Sequence, residues 1–120
     1  MQQVEKDVMN EAVLDWKSVL SQDTYTCANY VKQLREFMAR ERDTAAQVDQ
    51  LLRSGQTQEA RNLVHTLKET ALNLGAKALA AAALELEIAI KAGADTSRIF
   101  GHFSSAHTDA LVSMHTFLSQ

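Results

Sequence analysis

Apolar positions recur at intervals of three and four along almost the whole chain, the spacing that lines one face of an α-helix. A first segment, about residues 3 to 20, carries Val4, Val8, Ala12, Val13, Trp16, Val19 and Leu20, as one helix or as two with a break before Asp15. "SQD" at 21–23 offers capping side chains for a second helix over about 24 to 41, whose stripe is Cys27, Tyr30, Val31, Leu34, Phe37 and Met38. A third helix, about 43 to 54, turns Ala45, Val48, Leu51 and Leu52 inward and stops at Gly55. The fourth runs from near Thr57 to about Leu74 and ends at Gly75; the fifth runs from Lys77 to Ala92 and ends at Gly93. Asp95 or Thr96 caps a sixth, which carries Ile99, Phe103, Ala106, Ala110, Met114 and Phe117 on one face. Short connections between successive long helices make them antiparallel neighbours. The pattern predicts an all-α fold, an up-and-down four-helix bundle with one or two additional N-terminal helices, in a single domain over residues 1–120.

Composition narrows the class. With no Pro and four Gly among 120 residues, little interrupts helices, and a sheet-rich fold with many tight turns is disfavoured. A net charge of -3 and a pI near 5.7 leave no basic stripe for nucleic acid. One cysteine cannot close an internal disulfide, so nothing calls for an oxidising compartment. No apolar run reaches the roughly 20 residues of a membrane span, and the N-terminus lacks a signal-peptide pattern. A soluble cytoplasmic helical domain, monomeric and without a metal site of its own, is expected.

The fourth helix holds the candidate chemistry. On a wheel of about 100° per residue with Leu67 at zero, Ala60, Leu63, Val64, Thr70, Ala71 and Leu74 fall within about 60° and form the core face. His65 lies about 160° away and faces water, among Arg61, Asn62, Lys68, Glu69 and Leu72. A surface histidine by itself is usually only a polar residue. Lys68, one turn on, supplies a cation that can balance negative charge placed on the ring, although exposed pairs are worth only some tenths of a kcal/mol.

The run "VHTLKETALNLGAKALAAAALELEIAIKAG" resembles the core motif of the histidine-containing phosphotransfer (HPt) domains of bacterial phosphorelays. That motif reads approximately His-x-x-Lys-Gly, then Leu-Gly, then Leu, Ala and Leu-Glu along the next helix. His65, Lys68, Leu74, Gly75, Leu79, Ala83, Leu86 and Glu87 occupy the matching places. Upstream, "VLDWKSVL" and "YVKQLREFM" resemble the opening helices of HPt domains at the C-termini of hybrid sensor kinases, so the likeness covers roughly residues 12 to 117. The resemblance implies a phosphocarrier and not an autonomous enzyme. His65 would accept a phosphoryl group from the aspartyl phosphate of a receiver domain through Nε2 and pass it to another receiver. Lys68 would stabilise phosphoryl charge, and Gly75 would be a structural motif position. No cofactor is implied, since Mg²⁺ and the acidic pocket belong to the receiver. By position, Arg61, Asn62, Glu69 and Leu72 form the nearest docking surface. The domain could also be the C-terminal part of a membrane-anchored hybrid kinase.

One departure from the motif stands at Glu69, where the family favours glycine. A carboxylate there repels a phosphoryl group and can obstruct a receiver's approach, while loss of a mid-helix glycine stabilises the helix by roughly 0.5 to 1 kcal/mol. Two alternatives therefore stand beside the carrier: a module that only binds or sequesters a receiver, and a structural bundle that oligomerises. The second draws on Leu84 and Ile88, which sit nearly opposite the stripe of Leu79, Ala83, Leu86 and Ile90; core packing is the preferred account of that strip. His102, His107 and His115 lack the i, i+4 spacing of a helix-borne metal clamp. His102 and His107 are expected at the edges of the core, and His115 outside. Cys27 is expected as a buried structural thiol, and Trp16 as an anchor for the N-terminal segment.

Overall fold

The computed structural model describes residues 10–22 and 26–119. Val4, Val8, Asp23 and the proposed helix start near 24 lie outside the described residues. The elements are α1 (Trp16–Leu20), α2 (Cys27–Arg40), α3 (Thr44–Arg53), α4 (Thr57–Asn73), α5 (Lys77–Ala92) and α6 (Ser97–Leu118), with no strand among the described residues. None of these helices is long and apolar enough to cross a membrane.

The helices form a four-walled bundle. α4 packs on α5, α5 on α6, and α6 on both α2 and α3. α2 and α3 act in tandem as the fourth wall, antiparallel to α4. Tyr30 near the start of α2 donates its hydroxyl to the Leu74 carbonyl at the end of α4 (2.7 Å), and Gly55 turns the end of α3 into the start of α4. The junction of the two tandem helices is held from across the bundle, where buried His107 of α6 donates Nε2–H to the Glu41 carbonyl at 2.7 Å. The same carbonyl at the end of α2 also accepts from Thr44 N–H at 3.2 Å, so both of its bonds fasten the α2–α3 junction. The core is filled by Tyr30, Leu34, Phe37, Val48, Val64, Leu67, Leu79, Leu86, Phe103 and Met114. At one end, Phe117 contacts Tyr30 edge-on and lies 5.3 Å from Trp16, which anchors the N-terminal segment as expected.

That segment caps the turn between α4 and α5. Asp15 N–H donates to the Gly75 carbonyl (2.8 Å), and the Ala12 carbonyl accepts from Ala78 N–H. The second bond satisfies a first-turn amide of α5, a helix whose N-cap residue, Ala76, has no side chain to do it. Lys77 closes the joint with an ion pair to Asp15 at 2.6 Å. Gly75 is required twice here: its φ of +86° favours glycine, and a Cβ would come within 2.8 Å of the Asp15 carbonyl oxygen.

Several expectations are corrected. The break in the first segment falls as anticipated, with Asp15 accepting from Ser18 N–H at the head of α1. Ala12, however, is exposed and Leu14 is fully buried, because residues 11–13 form a turn in which helical spacing has no meaning. The cap of α2 is Thr26, not "SQD". Cys27 is therefore the first residue of the helix and is exposed, since the core-facing stripe begins one turn later at Tyr30. Leu84 and Ile88 are 44% and 58% exposed and not core, because α5 turns Leu79, Ala82, Ala83, Leu86 and Ile90 toward its neighbours and leaves this side uncovered. His102 is also exposed, 3.2 Å from Glu85 of α5, since the adjacent Phe103 takes the core direction.

Candidate functional site

α4 offers two opposed faces. Ala60, Val64, Leu67 and Ala71 are buried at helical spacing, which turns His65 outward on the far side, its side chain 47% exposed. No cap side chain starts the helix, and Gly75 ends it in the left-handed conformation that lets the chain reverse at once into α5. That reversal determines what stands beside His65. In an antiparallel pair, residues equidistant from the turn lie opposite one another. His65 and Glu87 are each eleven residues from Ala76 (76 − 65 and 87 − 76).

The Glu87 carboxylate reaches back from α5 and bridges two residues of α4. Oε2 lies 2.9 Å from His65 Nδ1, and Oε1 accepts from Lys68 Nζ at 2.9 Å. Burial pushes the Glu87 carboxyl up, but the hydrogen bonds from Lys68 and His65 outweigh it and hold the group below the usual carboxylate range. Glu87 is thus ionised and acts as an acceptor, so His65 carries a proton on Nδ1 and donates it. In the neutral ring the lone pair then belongs to Nε2, the more outward nitrogen. A nucleophile on the exposed face of a helix, oriented from behind, is what a transfer between docked proteins needs.

The other anticipated residues fall around it. Lys68 is part-buried through its tie to Glu87. Glu69 is exposed, its Oε2 lying 3.5 Å from His65 Nε2. Asn62 accepts from Gln58 on the exposed face, and Arg61 is half-buried. Leu72 is 61% exposed and lines a shallow groove with Asp15, Val19, Gly75 and Lys77, so the apolar end of this face abuts the N-terminal cap. His102, His107 and His115 are remote in role: the first and last are exposed, and His107 serves the α2–α3 junction. Sequence reasoning placed Glu87 in the motif but gave it no role. The symmetry about the Gly75 turn was the signal that could have found it.

A family model described as Hpt domain matches residues 32–110. No curated protein and no solved structure matches the chain. The matched span runs from α2 through most of α6 and contains every residue of the His65 cluster. The chain belongs to the Hpt domain family, helical phosphocarrier domains that work with receiver domains in phosphorelays and are not autonomous enzymes.

Proposed function

We propose that His65 is the phosphoacceptor of this phosphorelay intermediate, and that the observation carrying this reading is the bond between His65 Nδ1 and Glu87. Nε2 attacks the phosphorus of a receiver's aspartyl phosphate, a nitrogen–phosphorus bond forms, and the aspartate leaves with the electron pair of the broken oxygen–phosphorus bond. The proton on Nδ1 stays in place. The positive charge that the ring gains on attack develops against the Glu87 carboxylate, which stabilises it. Lys68 is tied to Glu87 in the resting chain and lies one turn from the ring, close enough to turn toward phosphoryl charge. The Mg²⁺ of the reaction belongs to the receiver. Arg61, Asn62, Glu69 and Leu72 are the surface over which the receiver docks. The described residues fold around one core, which favours a single domain that includes the N-terminal cap; a cytoplasmic location fits receiver partners.

A second reading has an observation of its own. Glu69 stands beside Nε2, and this favours a module that docks a receiver without accepting its phosphoryl group. The test of both is to mix the chain with a panel of receiver domains carrying labelled phosphoryl groups, beside a His65→Gln control. Acid-labile, alkali-stable label on the wild type and none on the control supports the carrier. Docking without label from any receiver replaces it with the binding module.

A further inference from the structure

Each ring nitrogen of His65 faces a carboxylate, but the two carboxylates stand in different surroundings. Glu87 is 17% exposed and shares its charge with Lys68, whereas Glu69 is 66% exposed, and among the described residues His65 is its one ion-pair partner. In its observed position Glu69 opposes attack whichever way Nε2 is protonated. A protonated Nε2 pairs with the Glu69 charge and has no lone pair to offer; an unprotonated one stands 3.5 Å from a negatively charged oxygen that repels an incoming phosphoryl group. Once a phosphoryl group is in place, its charge lies beside that carboxylate, and the nearby cation, Lys68, is already shared with Glu87. The exposed side chain has room to swing outward along the helix surface, so the opposition is electrostatic and reversible, not a permanent block.

We propose that Glu69 keeps phosphorylated His65 at high transfer potential, so that the domain relays phosphoryl groups promptly and does not store them. This rests on His65 being the acceptor. In forward transfer the donor's oxygen–phosphorus bond breaks as the nitrogen–phosphorus bond forms. In onward transfer the pair returns to Nε2 and a new oxygen–phosphorus bond forms on the next aspartate. Glu69 raises the energy of the state between these steps and leaves both receiver states untouched. Its charge therefore shifts the partition of phosphoryl groups toward aspartate by roughly three- to tenfold at low ionic strength, less as salt screens it.

The test loads wild type, E69Q, E69G and H65Q with phosphoramidate, a small phosphoryl donor that needs no partner. The loaded chains are then equilibrated with a receiver domain and Mg²⁺, at concentrations below the docking Kd. In E69Q the balance should move toward phosphohistidine by that factor, with E69G moving the same way and both shifts shrinking in high salt. In the ³¹P spectrum the phosphoryl group should also take up its second proton at lower pH in E69Q than in the wild type. Label on His65 with an unchanged partition and an unchanged phosphoryl titration overturns this inference and leaves the phosphoacceptor standing. No phosphohistidine on any folded chain overturns both.

Discussion

His65 on α4 and Glu87 on α5 are joined by a 2.9 Å contact between Nδ1 and Oε2 that crosses from one packed helix to the next. The carboxylate fixes which ring nitrogen holds the proton, and Lys68 holds the carboxylate. Replacing Glu87 by Ala should slow phosphoryl transfer about 10- to 100-fold, the value of one hydrogen bond to a charged group. Receiver docking should change little. Glu87→Gln should retain part of the rate, because its amide oxygen can still accept from Nδ1–H. Nitrogen NMR of the ring should show loss of the single tautomer in the Ala variant. A rate within twofold of wild type would remove Glu87 from the mechanism.

Gly75 and the Asp15 carbonyl meet so closely that no side chain fits between them. Gly75→Ala combines a left-handed backbone with a clash against main chain, and we expect a loss of about 2 to 4 kcal/mol in denaturant unfolding. Gly55 and Gly93 also have positive φ but open space around the missing Cβ. Their Ala variants should lose only about 1 kcal/mol. Equal losses at the three sites would show that the approach of the N-terminal cap does not matter.

The Asp15–Lys77 pair links the same cap to pH. The hydrogen bond from Lys77 holds the Asp15 carboxyl below its ordinary range, and the same bond pushes Lys77 up. The folded chain then binds fewer protons than the unfolded chain in acid. Asp15's contribution is complete above the ordinary aspartate value of about 3.9 and is lost as pH falls through the lowered folded value. That of Lys77 is complete below about 10.4 and is lost as pH rises through the raised one. The stability difference between wild type and Asp15→Asn should therefore be flat from about pH 5 to 9 and shrink at both ends. Unfolding curves across that range would measure it, and a difference that grows in acid would contradict the pairing.

His107 supplies the donor for the Glu41 carbonyl where α2 gives way to α3. His107→Phe keeps the bulk and the contact with Phe103 but removes the shorter of the carbonyl's two bonds, leaving only Thr44 N–H at 3.2 Å, at about 0.5 to 1.5 kcal/mol. Hydrogen exchange should then rise at residues 41–44, ahead of α4 and α5. Loss spread evenly through the bundle would mean that His107 is only a packing residue.

Much of the architecture was legible because it is written in local spacing. α4 and α5 lie where periodicity and the glycines Gly75 and Gly93 put them, and the outward direction of His65 followed from Leu67 and its neighbours on one helix. The errors share a cause. Spacing puts Cys27 on a core stripe and His102 at the core's edge, and it puts Leu84 and Ile88 on a second strip expected to be covered, but whether such a position is covered depends on which helix lies opposite. Leu14 escapes the pattern because it follows the turn at 11–13 in irregular chain, where no helical period applies.

By itself, then, the sequence determined the helices, their stops, and a histidine aimed at solvent with a lysine one turn on. These are properties of residues a few positions apart on one backbone. Only the tertiary structure decided that Glu87 would stand behind that histidine, that Lys68 would be held by the same carboxylate, and that Asp15 would close over Gly75. Those contacts join residues 19 to 62 positions apart, and they exist because the turn at Gly75 sets the register of α5 against α4.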